Sequence, residues 1–188
     1  MGIKRIIEYP NDEEALRRKS KPVRTVNRRI KKLVQDLKDT LMDRPEGVGL
    51  AAVQINIHSR VFVVRLGTKV DGNEDEDTKL NPPVAMINAE ILEAKNEEED
   101  FDGCLSFPGL FGDTIRPHFI RVKGLDEWGK PFEKIFEGFD AVLIHHEIDH
   151  TNGVLFIDRA ESMKKLYVIQ EDEEGNWIKI PIDMKKPS

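Results

Sequence analysis

At 188 residues and 21.6 kDa, the chain has the length of one domain and can bury a core without disulfide or metal staples. A net charge of −6 argues against nucleic-acid or anionic-membrane binding by long-range attraction, and apolar runs such as Val61-Phe62-Val63-Val64 fall far short of the ~20 residues a bilayer span needs. One cysteine, Cys104, excludes an intramolecular disulfide, and Met1-Gly2-Ile3-Lys4 opens no secretory signal, so a cytoplasmic location is expected.

From the N-terminus, Asn11 to Ser20 starts polar with Glu14 three residues after Asn11, a capping arrangement that predicts a short first helix. Val26, Ile30, Leu33, Val34, Leu37 and Leu41 then recur every three or four residues, which predicts an amphipathic helix over 26–43 with one buried stripe. Its basic residues Arg28, Arg29, Lys31 and Lys32 read as an ordinary solvated face. Arg60 to Leu66, Val84 to Leu92 and Phe119 to Leu125 are β-branched and apolar, so a β-rich middle is expected. The acidic runs Asp71 to Asp77 and Glu97 to Asp100 are too charged for a core and are expected as solvated loops or turns. From Leu166 onward, Leu-Tyr-Val-Ile and Trp-Ile-Lys-Ile flank Gly175-Asn176, which predicts a hairpin tail over about 166–188. No repeat or linker divides the chain, so 1–188 reads as one domain.

Gly138 to Gly153 reads G-F-D-A-V-L-I-H-H-E-I-D-H-T-N-G, a helix of three to four turns closed by Asn152-Gly153. Residues 139, 142, 143, 146, 147 and 150 share one face, so the apolar stripe of Phe139, Val142 and Leu143 runs into His146, Glu147 and His150. Ala141, Ile144 and Ile148 cover the other side, so the helix should be buried nearly all round. Two histidines at i and i+4 can share one divalent ion, with the Glu between them as general base. Two core histidines and a surface Glu would give the same string, but a buried His pair and carboxylate without a cation would be costly to desolvate. Asp149 reads as a residue orienting a ligand from behind, and His58, His118 and His145 have no supporting pattern.

A catalytic site of this kind has three protein ligands and one open position. No His follows His150, and Glu161 and Glu171 lie in highly charged surroundings, so Cys104, between Gly103 and Pro108, is the better third ligand. A thiolate with two imidazoles suits zinc or ferrous iron. Gln54, at the end of the small-residue stretch Gly47 to Val53, offers an amide donor. Two rival readings stand beside this one: a metallopeptidase using Glu161 or Glu171, and a non-catalytic module that binds a peptide or a structural metal.

Taken together and in order, G-x-G-L-A-A-x-Q, D-G-C-L-S and H-E-I-D-H resemble the peptide deformylases. The resemblance runs from about Ile6 to Arg159, including Tyr9-Pro10, Lys21-Pro22-Val23 and Phe156-Ile157-Asp158-Arg159. It implies an α+β fold with antiparallel sheets around a central metal-binding helix. It also implies hydrolytic removal of the formyl group from the N-terminal formylmethionine of new polypeptides. Carried over by position, Cys104, His146 and His150 would hold one divalent ion, ferrous iron natively, with zinc, nickel or cobalt able to replace it. Glu147 would be the general acid/base, and Gln54 and the Leu105 N–H the oxyanion donors. Gly49 would bond the substrate backbone, Val48, Phe139, Val142 and Leu143 would line the methionine pocket, and Arg116 would pair with Asp149. Expected partners are N-formylmethionyl nascent peptides and the ribosome, with no direct nucleic-acid readout and no membrane. This chain departs from the family in Asp102, usually Glu, and His145, usually Gln; its tail reads as a hairpin where many members end in a helix.

Overall fold

The computed structural model describes residues 2–67, 81–163, 165–172 and 175–182, with backbone alone at 161–163; the acidic run Asp71 to Asp77 and the side chain of Glu161 lie outside it. Elements follow in the order α1 (Glu13–Leu16), α2 (Arg28–Met42), β1 (Gly49–Ala51), a 3₁₀ turn (Ala52–Ile55), β2 (Val61–Val64), β3 (Val84–Gly103), β4 (Leu110–Leu125), β5 (Pro131–Glu137), α3 (Gly138–Asn152), α4 (Phe156–Met163), β6 (Leu166–Glu171) and β7 (Trp177–Pro181). Every described strand pairing is antiparallel, in the order β1-β2-β3-β4-β6-β7, with β5 also joined to β4. The result is an α+β domain in which one curled sheet holds α3.

Where local chemistry is strong, the elements follow the pattern of the sequence. Asn27 caps α2, its Oδ1 accepting from the N–H groups of Arg29 at 3.0 Å and Ile30 at 3.1 Å. The stripe Leu33, Val34, Leu37 and Leu41 is buried against Leu50, Val61, Val63 and Ile87. Helix α3 ends at Gly153, whose φ of 77° is the left-handed conformation that favours glycine, and a Cβ there would lie 2.2 Å from the carbonyl oxygen of Arg17. Both sides of α3 are buried, Ala141, Ile144 and Ile148 included.

Two expectations are corrected. The first helix is a single turn, because the chain beyond it is drawn into tertiary backbone pairing: Ser20 N–H donates to Thr151, Lys21 N–H to His58, and Arg60 N–H to Lys21. Asp12 precedes it without a side-chain cap. The run Glu97 to Asp100 is no loop: it lies inside β3, paired with residues Pro117 to Thr114 of β4. The ladder satisfies the backbone while most of the carboxylates point to water, so high charge is compatible with strand. Asp100 takes His118 Nε2 at 2.5 Å, and Glu99 pairs with Lys165.

This long hairpin positions the next elements. β3 ends at Gly103 opposite Phe111, so Cys104 opens the turn, closed by Phe107 N–H donating to Cys104 O at 2.8 Å. The N-terminal segment ties that turn to the 3₁₀ segment, Tyr9 N–H donating to Ser106 O at 2.9 Å and Ile7 N–H to Gln54 O at 2.8 Å. The tail pairs as a hairpin, Tyr167 opposite Pro181 and Glu171 opposite Trp177.

Candidate metal centre

Helix α3 and the β3–β4 turn bring three donor atoms together. His150 Nε2 lies 3.2 Å from Cys104 Sγ and 3.1 Å from His146 Nε2, and one ligand atom from each of the three residues falls within 4.8 Å of the others. Bonds of about 2.0 to 2.3 Å put the donors of a four-coordinate ion roughly 3.3 to 3.6 Å apart, so the spacing fits one ion. Two buried imidazoles and a half-buried thiol converging on one point also suit a cation better than mutual hydrogen bonding. Burial and the neighbouring His146 push His150 down to about 3, leaving its imidazole neutral, the state a ligand needs.

Beside the triad, Glu147 is almost fully buried and its Oε2 has no hydrogen-bond partner among the described residues. Burial pushes its carboxyl up to about 7, a value matched to proton exchange near neutral pH. Gly49 opens β1 against it, and a Cβ on Gly49 would lie 2.3 Å from Glu147 Oε1 and 2.9 Å from Leu143 Cδ1. Gly49→Ala is therefore expected to push the carboxylate aside and lower turnover at least tenfold, since misplacements near 1 Å can cost about 10²-fold. Steady-state kinetics with a urea melt checks this, and unchanged turnover would mean that the carboxylate has room to move.

Gln54 is anchored from the 3₁₀ turn: its Oε1 accepts from Ala51 N–H at 2.8 Å, and its Nε2 reaches Ser106 Oγ at 3.2 Å and Cys104 Sγ at 3.4 Å. A side-chain N–H is thereby held beside the thiol. Leu105 follows Cys104 half-buried; its Cδ1 would lie 2.9 Å from a Cβ on Gly47. Val142 and Leu143 are buried, while Val48 and Phe139 are half-buried against the cluster that contains Leu143. Glu171 is exposed in the tail hairpin, away from the three donors.

Behind the donors lies a network of which the family resemblance implied only one pair, Arg116 with Asp149. Arg116 on β4 is fully buried, giving Nε to Asp102 Oδ2 at 2.7 Å and Nη1 to Asp149 Oδ2 at 2.8 Å and His145 Nδ1 at 2.7 Å. Asp102 Oδ1 takes His146 Nδ1 at 2.8 Å, which leaves Nε2 facing the thiol and His150. Thr114 Oγ1 donates to Asp102, and Arg159 clasps both oxygens of Asp149 at 2.7 and 2.8 Å. Burial works against charge on Asp102, yet His146 and Arg116 outweigh it and hold the carboxyl well below its usual range. Burial likewise opposes a charged His146, but Asp102 wins and raises it; an ion at Nε2 would stand where that second proton sits. Burial lowers His145 to about 4, so it accepts from Arg116 as a neutral ring and touches no donor of the triad. Among the described residues, Asp149 reaches His146 through Arg116. Period-two alternation along β4, Thr114 then Arg116 then His118, was the available signal for this face.

A family model described as "Polypeptide deformylase" matches residues 3–166. Peptide deformylase 1 of Pseudomonas syringae is 41% identical over 166 residues, 88% of this chain and 91% of that one. Peptide deformylase 1 of Bacillus subtilis is 36% identical over 177 residues, covering 93% of this chain and all of the relative. Among solved structures, peptide deformylase from Thermotoga maritima aligns with a TM-score of 0.73 at 37% identity, over 85% of this chain and 98% of that one. The Ehrlichia chaffeensis enzyme in complex with actinonin gives 0.74 at 33%, over 85% and 89%.

Proposed function

The chain belongs to the peptide deformylase family, a metal-dependent hydrolase removing the N-formyl group from nascent peptides, and from that premise we propose how its own residues divide the work. Cys104, His146 and His150 hold the ion, and Glu147 is the general acid/base. The observation that carries this is the convergence of two buried imidazoles and the half-buried Cys104 thiol beside the buried Glu147 carboxylate, whose Oε2 has no hydrogen-bond partner among the described residues. When bound, the ion supplies Lewis acidity for hydrolysis near neutral pH.

The remaining steps belong to the chain. Glu147, poised near 7, takes a proton as water attacks the formyl carbon, and returns it to the amine as the C–N bond breaks, leaving formate and a free N-terminus. Gln54 Nε2 and the Leu105 N–H donate to the oxygen that gains charge, each such donor contributing roughly 3 kcal/mol. β1 is the sheet's edge among the described strands, so Gly49 can hydrogen-bond an extended peptide while Val48, Phe139, Val142 and Leu143 receive the methionine side chain. We propose ferrous iron as the native ion, with zinc, nickel or cobalt as replacements, since a thiolate and two imidazoles accept all of them. We further propose that 1–188 is a single catalytic domain, with 166–188 as its tail, and that it works in the cytoplasm on chains emerging from the ribosome. No described helix is long and apolar enough to cross a membrane.

The test is metal content and formate release from a formyl-Met-Ala-Ser peptide by anaerobically purified protein. Cys104→Ala is expected to lose the ion and the activity together, because two histidines do not close the site. Glu171→Ala is expected to keep both. Retention of metal in Cys104→Ala with loss in Glu171→Ala would overturn the ligand set and restore the metallopeptidase reading.

A further inference from the structure

The basic residues on α2 belong to a larger surface. From Ala15 to Gln35 the chain carries nine lysines and arginines and no acidic residue, in a protein whose net charge is −6. All nine are exposed. Three are neutralised: Arg17 by Glu13 and Asp158, Arg18 by Glu14, and Lys32 by Asp36. The other six, Lys19, Lys21, Arg24, Arg28, Arg29 and Lys31, form no ion pair among the described residues. An ordinary solvated face mixes signs so that its charges offset one another, and this one does not.

The fold brings Lys21, Arg29 and Lys32 to one neighbouring segment around Ser59. The backbone of Lys21 bridges to Ser59, and Arg29, Lys32 and Asp36 line a groove whose far wall is Ile57 and Ser59, so the loop after α1 and the first turns of α2 both adjoin that segment. Its apolar residues face inward: Leu16, Val23, Leu33 and Val34 are buried and Val26 and Ile30 pack on the core. No leucine, isoleucine or valine between Leu16 and Val34 is exposed, whereas a membrane-binding helix needs an apolar face to enter the lipid interface. The six guanidinium and ammonium groups that form no ion pair among the described residues suit a phosphate backbone, while Asp36 in the groove already neutralises Lys32. The surface also stays clear of the metal centre: Leu41, at the other end of α2, lies beside Gly47 and Leu105, about 20 Å from Arg28 along the helix.

We propose that this face docks the enzyme on the phosphate backbone of structured RNA at the ribosome surface, leaving the metal centre open to the emerging N-terminus; this rests on the deformylase reading above. Contacts to phosphates position without reading bases, so no sequence preference is expected.

The experiment is co-sedimentation of the full chain with purified ribosomes at two salt concentrations, in parallel with formate release from the free tripeptide. Four phosphate contacts should weaken binding roughly 10²-fold between about 50 and 200 mM salt. The quadruple variant Arg24→Gln/Arg28→Gln/Arg29→Gln/Lys31→Gln should bind at least tenfold more weakly at about 0.1 M salt, with free-peptide turnover and melting unchanged. Equal binding by parent and variant, or no binding by the parent at low salt, would overturn the proposal. So would tighter capture by phosphatidylserine vesicles that the variant loses, which would assign the face to a membrane. Absence of formate release from the free peptide would instead count against the deformylase reading, and the sedimentation result would still judge the surface.

Discussion

Glu147→Ala is expected to lower kcat for formate release roughly 10²- to 10⁴-fold while the bound ion stays in place. The carboxylate is not among the three converging donors, so its loss leaves Cys104, His146 and His150 where they are. KM should change little, because the Glu147 side chain is proposed to move a proton, and substrate contacts are assigned to Gly49 and the apolar residues. Stability should not fall. Burial already works against charge on Glu147, so alanine removes an unfavourable group from the interior. Glu147→Gln keeps the shape without the base and should be comparably slow. The decisive comparison is single-turnover formate release against metal content. A variant that keeps its metal and loses less than about tenfold would remove Glu147 from the chemistry.

Arg116→Leu is expected to cost about 3 to 5 kcal/mol of stability, the range for breaking a buried ion pair from one side. Arg116 lies between two buried carboxylates, and its removal strands Asp102 most, because Asp149 keeps Arg159. Asp102 then faces His146 with no guanidinium behind it, so the imidazole loses a fixed orientation and metal affinity should drop as well, by roughly 10- to 100-fold. The double variant Arg116→Leu/Asp102→Asn relieves the stranded charge while an amide oxygen still accepts from His146 Nδ1, and should recover part of the stability. Urea midpoints of the parent, both single variants and the double variant complete the cycle. A loss below about 1 kcal/mol in Arg116→Leu would mean that water or rearrangement satisfies Asp102 without the arginine.

The same network explains how a shorter acid can stand at position 102. The Asp102 carboxylate spans from Arg116 to His146 because β3 and β4 are paired where Asp102 and Thr114 share a face, so the backbone brings the group to its partners. His145, the other departure, keeps its ring on Arg116 and away from the donors.

What the sequence determined by itself is what near neighbours encode. A 3.6-residue period places His146, Glu147 and His150 on one face of α3, Asn27 marks the start of α2, and Gly153 stops α3 because only its left-handed conformation fits there. Cys104 could be singled out by exclusion, and the three motifs together identified the family. Tertiary structure alone decided the rest. Whether Glu97 to Asp100 was loop or strand depended on a partner strand 14 to 20 residues away, and backbone pairing outweighed composition. Whether residues 17–20 stayed helical depended on Thr151 and the segment around Ser59 competing for the same backbone groups. The joining of Asp102, Arg116, Asp149 and Arg159 into one buried set required β3, β4, α3 and α4 to meet, and charge pairing across such separations leaves no periodic trace in the chain. Local spacing reports which side chains share a face; which faces meet is fixed by long-range pairing, where burial turns an ordinary arginine into the support of the metal centre.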